Sequence, residues 1–172
     1  MILSSINFAD GASLPFECSY ESRNLSPSLR WTGAPLGTRS FAVTCQDRDG
    51  PDAKPWTLWL LWNIPATETR LRQGLPQYPR LDDGMEQGLN DYLEYGWCGP
   101  CPPVGLHEYS FALYALDSQI SPVAPTPRVV LSAISAHVID VVRVTATFGS
   151  DGVARSLSSL GREGRAAYLY SA

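Results

Sequence analysis

Apolar residues recur along this chain in short runs, each closed by turn residues, which is the pattern of strands rather than of long helices. The clearest runs are Ser40–Cys45, Thr57–Ile64 and Tyr109–Leu116. The first leads straight into QDRDGP, and because Pro51 has no N–H to give to a ladder, the chain must leave the sheet there. Asp47 and Asp49 are thereby placed at a strand end. Thr57–Ile64 is apolar at nearly every position, as expected of a central strand covered on both faces, and Pro65 ends it. Val141–Phe148 alternates instead: Val142, Val144, Ala146 and Phe148 fall on one side, with Arg143, Thr145 and Thr147 on the other, so it predicts a half-exposed strand. Only Val129–Ile139 has a helical period, with Val130, Ile134 and Val138 at i, i+4 and i+8.

Between Arg70 and Gly105 the text changes to turn chemistry, dense in glycine and proline from Gly74 to Pro103. A long irregular connection inside a compact domain is usually functional. No repeat and no linker is visible, so residues 1–149 are expected to form one domain. Residues 150–172, rich in Ser, Gly and Arg, then make a C-terminal extension, either a tail or an added edge strand.

Composition narrows the function classes. An apolar content of 44% with 10% aromatics is that of a globular protein. The net charge of −4 supplies no positive field for a polyanion, which argues against nucleic acid as a partner. No apolar stretch approaches the length of a membrane span, and the first residues lack the pattern of a secretory signal. Four cysteines are too few for a disulfide scaffold. A soluble, cytoplasmic protein is expected.

Two stretches gather the polar groups that could carry chemistry: DRDGP (Asp47–Pro51) and WCGPCPPVGLHEY (Trp97–Tyr109). One of Asp47 and Asp49 can face a pocket while the other caps loop amides; Asp49 is the candidate for capping its own loop. Cys98 and Cys101 have the spacing of a redox or half-zinc pair, but neither a βαβ context nor a second pair of ligands accompanies them. No cofactor or metal is expected. No G-x-S-x-G elbow exists, and although Cys45, Asp47 and His107 could converge, Cys45 falls inside a strand and reads as a small buried hydrophobe, leaving a weak case for a hydrolase. His137, on the predicted helix, reads as a packed or surface histidine. Most tryptophans read as core, with Trp56 and Trp97 free to wall a pocket.

As a set, SPSLRW (Ser26–Trp31), DRDGP, WLLWNIP (Trp59–Pro65), GPCPP (Gly99–Pro103), GLHEY (Gly105–Tyr109) and FALYALD (Phe111–Asp117) resemble the phosphatidylethanolamine-binding protein family, and within it the bacterial YbhB/YbcL branch. The likeness runs from about Phe8 to Gly149. It implies a mainly β fold, a Greek-key β-sandwich of two antiparallel sheets with one short helix in the C-terminal half. It also implies a small pocket formed by Asp47, Asp49, Gly99, Pro102, Pro103, His107 and Tyr109. Such pockets take phosphate, acetate or a phosphoethanolamine headgroup: imidazole and backbone N–H groups favour an anion, while a carboxylate holds the imidazole or receives the ligand's cation. Family members are linked with kinase and protease inhibition, and bacterial relatives commonly form homodimers, so a protein partner and a homodimer are implied too. Two departures stand out. Leu58 occupies the place of a second pocket histidine, and Glu108 stands where the family has arginine. The first removes an anion donor and would suit a degenerate pocket kept as a scaffold; the second reverses a charge, with Arg48 the expected compensating partner.

Overall fold

The computed structural model describes residues 1–51 and 54–150. Its strands are β1 (Ile2–Ser4), β2 (Leu29–Thr32), β3 (Ser40–Asp47), β4 (Trp56–Pro65), β5 (Arg70–Leu71), β6 (Glu86–Gln87), β7 (Gly105–Leu116) and β8 (Val138–Ser150), with one α-helix, α1 (Pro127–His137), between β7 and β8. They form a three-stranded sheet in the order β1-β2-β5 and a five-stranded sheet in the order β6-β4-β3-β7-β8, every pairing antiparallel. The two-sheet, mainly β architecture with a single helix is thus the expected one.

Alternation decides what each face buries. Leu3, Leu29, Trp31 and Leu71 of the small sheet meet Phe41, Val43, Trp59, Phe111 and Val144 of the large sheet in the main core. The opposite face of the large sheet contributes Ala42, Leu60 and Trp62 to a second core closed by Val130 and Ile134 of α1. That double cover explains why β4 is buried from Thr57 to Ile64. Each large apolar side chain so buried contributes about 1.5–3 kcal/mol relative to exposure.

Three boundaries differ from the sequence expectation. β3, not β4, is the middle strand: β4 has only the two-residue β6 on its outer side, and its apolar run reflects coverage rather than centrality. The helix sits two residues earlier than predicted. Pro127 begins it, as proline's fixed φ allows in a first turn, and the β-branched run from Val138 pulls the chain into β8, so Val138 is exposed rather than a third core position. β7 begins at Gly105 instead of Tyr109, which puts His107 on a strand and not in a loop. The expected extension at 150–172 lies, beyond the end of β8 at Ser150, outside the described residues.

Candidate functional site

Strand register builds the site. Asp47, the last residue of β3, is paired with Tyr109 of β7 on one side and with Trp56 of β4 on the other. His107 lies two residues from Tyr109, so its side chain emerges on the same face as Tyr109 and Asp47, just beyond the end of β3. This is the inward face, continuous with Cys45 and Phe111 of the main core. Phe148 of β8 flanks His107 from the far side. A polar cluster thus sits at the end of β3, at the edge of the main core.

Asp47 is fully buried and both its oxygens are engaged. Oδ2 lies 2.8 Å from His107 Nδ1, and Oδ1 accepts the Asp49 amide at 2.9 Å. An ionised carboxylate only accepts, so Nδ1 carries the ring's proton. The Asp49 carboxylate, in turn, accepts the Glu108 amide at 2.8 Å. Asp47 thus both meets His107 and caps its own loop, while Asp49 caps a backbone amide of β7 rather than one of its own loop. Arg48 donates its amide to the Glu108 carbonyl and its Nη1 lies 2.9 Å from Glu108 Oε1, so the expected Arg48–Glu108 pairing is present. Gly50 permits this tight return, because a Cβ there would lie 2.4 Å from the Lys54 carbonyl oxygen.

Asp47, Asp49, His107 and Tyr109 are brought together, the His107 and Tyr109 rings lying nearly parallel with centroids 6.4 Å apart. Gly99 plays another part. Its amide donates to Asn24 Oδ1 at 2.7 Å, and a Cβ would fall 2.0 Å from the Cys18 carbonyl oxygen, so it serves close packing of the 99–103 loop on the N-terminal segment. Pro102 is buried and Pro103 exposed in the same loop.

Leu58 has a local explanation. Cys45 is paired with Trp59 and Gln46 with Thr57, so Leu58 is the extra residue of a β-bulge one step from the site. Its carbonyl accepts the Cys98 amide and the Asn90 side chain, and its side chain is fully buried in the main core. An imidazole at this position would need a polar partner there. Trp97, a candidate pocket wall by sequence, is a core residue: it is buried, with ring centroids 5.8 Å from both Trp59 and Phe111, and its indole N–H donates to the Cys18 carbonyl. Trp56 does stand beside Asp47, with its ring edge-on to Tyr92, which stacks on Tyr20. Tyr20 and Tyr92 escaped the sequence analysis, as did Gln87 and Asn90. These two buried amides hold the long connection together by donating to the Pro76, Tyr78, Leu58 and Gly96 carbonyls. The available signal was an amide side chain within a Gly- and Pro-rich connection, where backbone carbonyls lack ladder partners.

All four cysteines are buried free thiols. Burial, helped by the Asp47 carboxylate, pushes the Cys45 thiol well above its ordinary range; burial likewise raises Cys98, and raises Cys18 to about 11. A neutral, enclosed thiol is a poor nucleophile. Among the described residues, no group of three or more His, Cys, Asp or Glu side chains could hold a metal ion. No helix there is long and apolar enough to cross a membrane.

Comparison with known proteins agrees with the fold. Residues 4–149 match the family model for phosphatidylethanolamine-binding protein. A UPF0098 protein of Methanothermobacter thermautotrophicus is 41% identical over 141 residues, covering 81% of this chain and 92% of the relative. Escherichia coli YbhB is 38% identical over 124 residues, covering 68% of this chain and 78% of its own. The crystal structure of E. coli YbcL, described as a new member of the mammalian PEBP family, superposes with a TM-score of 0.81 at 34% identity, over 87% of this chain and 98% of that one. With the sandwich, the Asp47–His107 contact and these likenesses in place, the chain belongs to the phosphatidylethanolamine-binding protein family, on its YbhB/YbcL branch.

Proposed function

We propose that the end of the sandwich at Asp47 and His107 is a receptor for a small anion or phosphoryl headgroup, without covalent catalysis. One observation carries this reading: the buried Asp47 carboxylate takes His107 Nδ1 at 2.8 Å, which fixes the ring and commits its other nitrogen to whatever enters. Among the described residues His107 makes no second hydrogen bond, so Nε2 is the group that meets the ligand. A cationic ring donates from Nε2 to an oxyanion; a neutral ring accepts from a protonated phosphate oxygen. The buried Tyr109 ring lies beside His107 and Trp56 stands beside Asp47, and the exposed Asp49 carboxylate offers a counter-charge to the ammonium of a zwitterion such as phosphoethanolamine. The cysteine usage favours a reducing, cytoplasmic setting.

Calorimetric titration with phosphate and with phosphoethanolamine tests the proposal. Replacing His107 by Ala is expected to weaken both by about tenfold or more, the usual worth of a charge-assisted hydrogen bond. Unchanged affinity would overturn it.

A further inference from the structure

A second charged region lies on the opposite side of the small sheet, away from the sandwich core. In the β2–β5 ladder, Leu29 is paired with Leu71 and Arg30 with Arg70. The leucines are buried, so the arginines point outward together, from directly opposed positions. Like charges facing each other across a ladder repel. Among the described residues, no carboxylate lies within ion-pair distance of either arginine, although the chain as a whole carries more acidic than basic groups. Both line a groove of about 500 Å³, joined there by Arg72.

The rest of the groove shows what would share it with the arginines. Leu75 and the buried Met85 supply apolar wall, and Ile6 adds an exposed hydrophobic side chain. Two carboxylates also face it. Asp83 is occupied in its own turn, accepting the Met85 amide at 3.2 Å, and Glu68 makes no ion pair among the described residues. Three guanidinium groups against two carboxylates leave one net positive charge beside apolar surface. Groove volumes of roughly 300–1,000 Å³ suit small-molecule ligands.

We propose that this groove is a second binding site, for an oxyanion carried on an apolar chain, either a carboxylate or a phosphate monoester, with the head bridging Arg30 and Arg70 and the chain lying on Met85 and Leu75. A guanidinium pair presents forked donors suited to two oxygens of one head, and the bound anion removes the repulsion that the ladder otherwise carries. The site is independent of His107.

Titration of decyl phosphate and decanoate, each below its micellar concentration, tests this in the His107→Ala background, where the first site is weakened and any residual binding there is unaffected by changes at Arg30 and Arg70. Saturable one-to-one binding is expected, with Arg30→Gln and Arg70→Gln each weakening it about tenfold or more. The neutral probe decanol and inorganic phosphate should each bind at least tenfold more weakly than decyl phosphate. Tighter binding of decyl phosphate identifies a phosphate monoester as the source, and tighter binding of decanoate a carboxylate. Failure of both probes to bind, or equal affinity in the glutamine variants, would overturn the proposal. Melting of the ligand-free proteins gives an independent readout: loss of one arginine should leave the melting temperature unchanged or raise it. A fall of several degrees would instead mark the arginines as structural and sink the assignment.

Discussion

The chain contains two histidines, and each places Nδ1 against an aspartate at nearly the same distance: 2.8 Å for His107 and Asp47, 2.9 Å for His137 and Asp117. Their surroundings differ. The Asp47 side chain is 0% exposed and that of His107 13%, whereas Asp117 and His137 are 56% and 41% exposed. His137 ends α1, where its carbonyl accepts the Asp117 amide, so the outer pair ties the helix end to the turn after β7. The inner pair sits at the mouth of the core with its carboxylate fully committed. Contact distance alone therefore says little about role; the cost of losing a partner depends on whether water can replace it.

Substituting the two aspartates should separate the pairs most clearly. Asp47→Ala strips the acceptor from a buried ring and from the Asp49 amide, and should cost about 3–5 kcal/mol, the usual penalty for breaking a buried pair. In a chain of this size that is a fall of roughly 10 °C in melting temperature. Asp117→Ala should cost about 1 kcal/mol or less, because water takes its place. Equal losses measured by chemical denaturation would erase the distinction. Arg48 and Glu108, 62% and 42% exposed, provide the smaller calibration beside the site. A double-mutant cycle on this pair should give a coupling of roughly 0.2–1 kcal/mol. Zero coupling would show that the charge swap leaves no energetic trace and that the backbone bonds of Arg48 and Asp49 alone join the two strands.

Much of this contrast was legible before any coordinates. The alternation in Val141–Phe148 and the apolar runs of Ser40–Cys45 and Tyr109–Leu116 specify strands, and in Val141–Phe148 a one-residue slip would turn the apolar set outward. The motif set then fixed the family, and with it the meeting of Asp47 and His107 across sixty positions. Other features are not local. That Asp49 caps an amide of β7 rather than of its own loop depends on where β7 runs past the end of β3, which neither motif encodes. The bulge at Leu58 follows from how Cys45 and Gln46 pair with β4, and periodicity has no symbol for an extra residue. Trp97 read as a possible pocket wall because glycines and prolines surround it, yet its loop folds inward and packs it between Trp59 and Phe111. The facing of Arg30 and Arg70 arises from β5, a two-residue strand too short to leave a pattern.

The central claim is that His107, and not His137, presents a nitrogen to an incoming anion. Side-chain 15N resonances of both rings can be followed by NMR through a titration with inorganic phosphate at constant pH. The account predicts a saturable displacement of the His107 Nε2 resonance while both His137 nitrogens stay in place. A motionless His107, or identical shifts at the two rings, would contradict it.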